Sequence, residues 1–349
     1  MNGKLITLLF LTILLVTVDG KRKRKSAKKD KIFQYSAAGP FFSLPVTVGS
    51  QRTKLSVGID GFYGATVIYC PNAGSPAGGF SHRSSSTWKP AVSNRHFDFS
   101  LGTGQGDSGS DYLRVGTLPA MRSEMFGNPE TVSSNAISKL PQASGFIAMW
   151  APQDDPMQKT TMQLVAESAK KAKITFHAPH NLDGTHTITI GKEDKTNCQS
   201  NWIVLDNIAS LDKNERPWTV EFDGFKWGSY NKPQKTAVAF NVAADYFVAP
   251  KVHANHIYKT LKAKYSSGYH GGLVSCSKLK SAPAIEFMVK GKKLSIKPTH
   301  YIKQFNRATC LLNIYPDDLN MWTMPYNFHQ GRCIKYDYAS KTLNIVDQM

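Results

Sequence analysis

A two-lobed, all-β architecture is what this sequence predicts, and three observations predict it. From Phe33 onward, short runs of alternating apolar and polar residues recur between clusters of Gly, Ser, Pro and Asn. That is the pattern of half-buried strands joined by turns. Only two stretches carry a helical period, Met162 to Ala169 and Pro250 to Leu261, too few for an α/β fold. Finally, Leu55 to Gly64 and Ala237 to Pro250 read as twins. Each is an apolar strand running into a turn, with Asp60 in the first and Asn241, 181 residues later, in the second.

Taken in order, residues 1–20 read as a secretory signal peptide. Lys4 supplies a charged start, Leu5 to Val16 an apolar core, and Val18-Asp19-Gly20 small residues at a cleavage site. The run is too short to span a bilayer, and no later stretch is long and apolar enough, so no membrane span is expected. Residues 21–32 form a basic tail. Its run Lys21 to Lys29 contributes heavily to a net charge of +18. Such a run reads as a solvated tail, as a dibasic processing site, or as a contact for acidic glycans and other anionic surfaces. Roughly 330 residues follow the leader, enough for two lobes with their own cores. Asn207 to Pro217, with Asp212-Lys213-Asn214-Glu215-Arg216 inside it, reads as a linker. The lobes then cover 33–206 and 207–349, in a protein expected to be secreted or held in a lysosomal or other secretory lumen.

Specific segments resemble the pepsin-like aspartic peptidases, in order along the chain. Val48-Gly49 to Asp60 keeps the spacing from the family's Ile-Gly-Thr-Pro to its first Asp-Thr-Gly. Ser84 to Trp88 resembles its Ser-Ser-Thr-Tyr, and Leu101-Gly102-Thr103-Gly104 its flap Tyr-Gly-Thr-Gly. Ser144 to Met149 resembles its Asp-Gly-Ile-Leu-Gly-Leu, and Gly184 to Asp194 its Gly-rich strand. Trp218, Trp322 to Pro325, Phe328 and Tyr336-Asp337 match the aromatic positions of its second lobe. The resemblance implies a bilobal acid-protease fold with a joining sheet, a cleft for a peptide or protein partner, and no cofactor or metal.

It also implies a lesion. The family mechanism needs two carboxylates about 3 Å apart that share a proton and activate a water. Here the first Asp-Thr-Gly reads Asp60-Gly61-Phe62 and the second reads Asn241-Val242-Ala243. An amide at 241 can hydrogen-bond but cannot exchange a proton. Gly61 and Val242 lack the hydroxyls that tie the family's two turns together, and Phe62 and Ala243 replace glycines. Leu101 stands at the flap tyrosine. The expectation is a non-catalytic homologue with Asp60 as remnant and Asn241 as degenerate partner, contacting its ligand through Leu101, Gly102, Thr103 and Gly104. The alternative is an acid endopeptidase working through an atypical Asp60/Asn241 dyad, and a third reading is a glycan- or surface-binding module driven by the tail.

Five cysteines in an oxidising compartment leave one over, and spacing alone does not choose the pairs. The resemblance implies Cys276–Cys310 in the second lobe. Cys198 and Cys333 flank strands expected to meet in the joining sheet, which leaves Cys70, either buried and inert or open to an intermolecular bond. Rival motifs carry less. Gly106-Asp107-Ser108-Gly109-Ser110 looks like a serine-peptidase nucleophile segment but lacks the preceding His context, and reads better as the tip and return strand of the flap hairpin. Gly102 to Gly106 has no helix after it for a nucleotide loop. His253, His256 and His270 lack a recognisable metal-ligand spacing. No fold signature for nucleic acid accompanies the basic charge.

Overall fold

The computed structural model describes residues 31–36, 42–180, 185–208 and 217–349. The leader at 1–20, the basic run at 21–29 and linker residues 209–216 lie outside the described residues. The first strand, Lys31–Ser36, takes in two residues that the sequence reading gave to the tail.

Among the described residues five sheets build the fold, which is β-rich and bilobal as expected. In the first half, seven strands follow the order Ser43–Val48, Thr53–Asp60, Gly145–Ala148, Thr66–Ile68, Met121–Val132, Gly102–Val115 and Lys89–Phe99. Ser43–Val48 also pairs with Gly102–Val115, Val46 opposite Val115, which closes six of these strands into a barrel. Alternation decides the inside: Leu44, Val46 and Val48 are buried while the residues between them are not. The second half divides its strands among a five-stranded sheet and two four-stranded ones, around Trp322, Phe225 and Phe287. The Phe225 and Trp322 rings meet at 4.9 Å. A six-stranded antiparallel sheet joins the halves, combining Lys31–Ser36, Lys173–Ala178 and Thr185–Ile190 with Arg332–Asp337, Thr342–Asp347 and Ile203–Asp206.

The twin segments fold alike. Thr53–Asp60 runs parallel to Gly145–Ala148, with Asp60 opposite Ala148, and Thr66–Ile68 returns antiparallel to the same strand. Thr236–Phe240 runs parallel to Met321–Met324, with Phe240 opposite Met324, and Phe247–Pro250 returns beside it. Asp60 therefore ends its strand, and Asn241 follows immediately after its own.

Both helical stretches form, as Thr161–Ser168 and Lys251–Leu261. Ser134–Lys139 and Pro298–Tyr301 are added; they are too short to show a period. Gly106 to Ser110 lies within the strand Gly102–Val115, and the hairpin turns instead at Ser100–Leu101, which corrects the placement of that stretch at the tip. The structure joins Cys198 to Cys333 and Cys276 to Cys310. Cys70 is free and 7% exposed. Its thiol points at Asn128 Oδ1 (3.3 Å), and burial, helped by Glu130, pushes it up to about 11. That favours the inert form over an intermolecular bond.

Gly145 and Gly78 both have positive φ, +143° and +80°, but only Gly145 is pressed by backbone: a Cβ there would collide with the Val67 carbonyl, whereas nothing lies within 4 Å of one at Gly78. Gly145→Ala should cost about 3 kcal/mol or more, against about 1–2 kcal/mol for Gly78→Ala from the left-handed conformation alone. Chemical denaturation of the two variants checks this. Equal losses would mean that the close approach is not what demands glycine.

Candidate active site

Asp60 is fully buried at its strand end. Its Oδ1 accepts the backbone N–H groups of Phe62 (2.9 Å) and Tyr63 (3.2 Å), the local turn that Asp favours. Two further donors arrive from forty residues away. Ser100 gives its backbone N–H to Oδ2 at 2.7 Å and its hydroxyl to Oδ1 at 2.7 Å.

Ser100 also reaches the other position. Asn241, 6% exposed, donates from Nδ2 to Ser100 Oγ at 2.9 Å, while its Oδ1 accepts the Ala243 N–H at 3.1 Å. The three side chains form one directed line: amide to hydroxyl to carboxylate. A hydroxyl thus stands between Asp60 and Asn241, where acid–base chemistry would need a water.

The hairpin holds Ser100 there. Phe99 and Leu101, on either side of it, are 3% and 2% exposed and sink into a cluster with Tyr69, Leu140, Phe146, Ala243 and Tyr326. Phe99 stacks on Phe146 at 5.5 Å. Behind the turn, Asn135 Nδ2 donates to the Leu101 carbonyl (2.9 Å) and Thr103 N–H donates to Ser133 Oγ (3.1 Å). Lys139, which ends the same short helix, pairs with Asp245 at 3.2 Å, four residues beyond Asn241. Apolar burial on both sides and polar ties behind press the turn onto the site.

The two turns that carry Asp60 and Asn241 also touch. A Cβ on Gly61 would lie 2.7 Å from the Phe240 carbonyl oxygen and 3.2 Å from Asn241 Cα. There is no room for a side chain at the position where the family has threonine. Trp150 covers the first turn from outside, its Nε1–H donating to the Phe62 carbonyl at 2.7 Å. Burial pushes the Asp60 carboxyl above the ordinary range, and the donors from Ser100, Phe62 and Tyr63 pull it back down.

Of the residues expected at a partner-binding edge, Leu101 and Gly104 are buried, Gly102 is half-buried and Thr103 is exposed. Beside Ser100 and Asn241 a cavity of about 190 Å³ opens, with Phe62, Tyr63, Tyr246, Tyr315 and Met321 in its walls. His253 donates to or accepts from Tyr230 Oη at 3.1 Å, His256 stacks on Tyr230 at 3.9 Å and His270 on Tyr246 at 5.4 Å. Ser100 is the residue that sequence reasoning missed. Its only signal was the adjacency to Leu101, since a serine in a turn is generic.

Residues 42–348 match the family model described as eukaryotic aspartyl protease. Aspartic protease 1 of Caenorhabditis elegans is similar at 24% identity over 286 residues, covering 76% of this chain and 70% of that protein.

Ser100→Ala should cost about 1–3 kcal/mol at pH 7, because it leaves Asn241 Nδ2 without an acceptor and Asp60 without its hydroxyl donor. The loss should also depend on pH. A carboxyl whose folded value is raised binds more protons native than unfolded, so its stabilisation is fully present below the unfolded value of about 3.9 and is lost as pH rises through the folded one. Removing a donor that lowers Asp60 widens that window. The deficit relative to wild type should therefore shrink between pH 7 and pH 4 in urea titrations; a constant deficit would place Asp60 outside the coupling.

Proposed function

Since the chain belongs to the eukaryotic aspartyl protease family, we propose that it is a non-catalytic member that holds a peptide or protein segment at its interlobe cleft. The observation that carries this reading is the Ser100 hydroxyl, 2.7 Å from Asp60 and 2.9 Å from Asn241. Proteolysis in this family runs on a shared proton and an activated water. Asn241 removes the exchangeable proton, Ser100 fills the water's place, and the buried tip cluster resists lifting the hairpin away. The rim supports binding instead: Gly102 and Thr103 offer hairpin surface, and the aromatic cavity beside Ser100 can take a partner's apolar side chain.

In the same reading, residues 1–20 are a signal peptide, 33–206 and 207–349 are the lobes, and the protein acts outside the cell or in a secretory lumen. The two disulfides fit such a compartment. Among the described residues, no helix is long and apolar enough to cross a membrane.

Purified protein should cleave no casein or peptide library between pH 3 and pH 6 and should not be retained by pepstatin. Asn241→Asp should stay inactive. Ser100 has one hydroxyl proton, already given to Asp60, so a second carboxylate facing the same oxygen meets a lone pair and a like charge. This variant should lose about 1–3 kcal/mol at pH 7 and recover part of it on acidification, when the introduced carboxyl is protonated and can donate as the amide did. Pepstatin-sensitive cleavage by the wild type overturns the proposal in favour of the atypical dyad. Cleavage by Asn241→Asp alone identifies Asn241 as the sole lesion.

A further inference from the structure

The positive charge is not spread evenly over the folded chain. Residues 42–180 carry twelve Lys and Arg against nine Asp and Glu, while residues 246–316 carry twelve against Glu286 alone. Two of those cations are matched, Lys251 by Asp318 at 3.1 Å and Lys293 by Glu286 at 2.9 Å. Lys262, Lys264, Lys278, Lys280, Lys297 and Arg307 have no carboxylate within ion-pair distance among the described residues. All but Lys278 are exposed, and Lys278 is half-buried.

Sheet register, the 3-10 turn beside it and the disulfide place these six around one end of the sheet. In the sheet ordered Lys264–Ser266, Gly271–Ser275, Thr309–Leu312, Ile302–Gln304, Lys264 lies opposite Leu273 and Ser275 opposite Thr309. Lys262, the left-handed residue that ends the helix Lys251–Leu261, therefore sits at the Ser275 end. The 3-10 turn Cys276–Lys280 begins at that end and carries Lys278 and Lys280. Cys276 N–H donates to the Ala308 carbonyl at 2.9 Å, and the Cys276–Cys310 bond pins the turn to the neighbouring strand, beside Arg307. Lys297 precedes Pro298–Tyr301, which packs on the same 3-10 turn. Flat rings flank the charge: Phe305 follows Gln304, which lies opposite Cys310 at this end, and Tyr269, from the turn at the Gly271 end, meets its ring at 4.9 Å. Tyr265, Tyr269 and Phe305 are each about half exposed.

We propose that this end of the sheet binds a sulfated glycan. An unneutralised cationic edge with fixed backbone concentrates a polyanion, the lysines and Arg307 can hold sulfate oxygens through charge-assisted hydrogen bonds, and exposed tyrosine and phenylalanine rings offer faces for the C–H side of a sugar. The disulfides favour a glycan over the other polyanions, because sulfated glycans belong to the oxidising compartments where such bonds persist. This surface is independent of Asp60, Asn241 and Ser100, and independent of the basic run at 21–29.

The test measures affinity of the full chain for a heparin oligosaccharide at 0.15 M salt, beside fully desulfated heparin, an oligodeoxythymidine and phosphatidylserine vesicles. Wild type should bind heparin and not its desulfated form. Lys278→Glu/Lys280→Glu/Arg307→Glu should weaken binding by about tenfold or more, which is about 1.4 kcal/mol. The neutral variant Lys278→Gln/Lys280→Gln/Arg307→Gln covers any folding failure of the first and should lose less. The control Lys170→Glu/Lys171→Glu should stay within about twofold of wild type, since those lysines lie outside the edge. Unchanged binding by the triple variants, with the tail intact, overturns the proposal and assigns heparin affinity to the tail. Equal or tighter binding of the oligodeoxythymidine or the vesicles overturns it in favour of those polyanions.

Discussion

A serine hydroxyl has one proton to give, and at Ser100 it goes to Asp60 while the oxygen accepts from Asn241. The surroundings follow from that asymmetry. Asn241 must keep its amide nitrogen toward Ser100, because its oxygen is held by the Ala243 N–H. Asp60 must stay an acceptor, because every group that faces it is a donor. Exchange either side chain for its acid or amide counterpart and two donors or two acceptors confront each other in a buried space, where an unmatched pair is costly. The two halves of the fold thus meet through a hydrogen-bond line with a fixed direction. The symmetric carboxylate pair of the family, in which a proton can sit on either side, has no counterpart here.

The position of that line depends on ordinary apolar packing. Phe99 and Leu101 are buried on either side of Ser100, so the turn between them cannot rise without exposing two large side chains. Leu101 thus contributes core, and the turn it anchors forms part of the wall beside Asp60 and Asn241.

Much of this fold was legible in the sequence because its determinants are local. Alternation gave the strands near Leu44 and Ile188, an apolar period gave Thr161–Ser168 and Lys251–Leu261, and the twin strand-turn segments located Asp60 and Asn241. What stayed hidden depends on contacts across long separations. Ser100 meets partners 40 and 141 residues away, and no periodicity encodes that. Gly106 to Ser110 has the composition of a turn and lies only in the return strand, not at the tip, because its glycines serve close packing there: a Cβ at Gly106 would lie 2.5 Å from the Asn128 carbonyl oxygen. Composition signals flexibility in the unfolded chain, and the fold spends it where backbones crowd.

Gly61 couples the two turns through their backbones. With the Phe240 carbonyl 2.7 Å from where its Cβ would be, no hydroxyl-bearing side chain fits at this position while the two turns keep their present spacing. On the reading proposed above, an aspartate introduced at 241 would still have no hydroxyl-bearing neighbour at 61, because that volume is taken up by the backbone of the other turn. The spacing of the two turns and the size of residue 61 are set together, and neither can change alone.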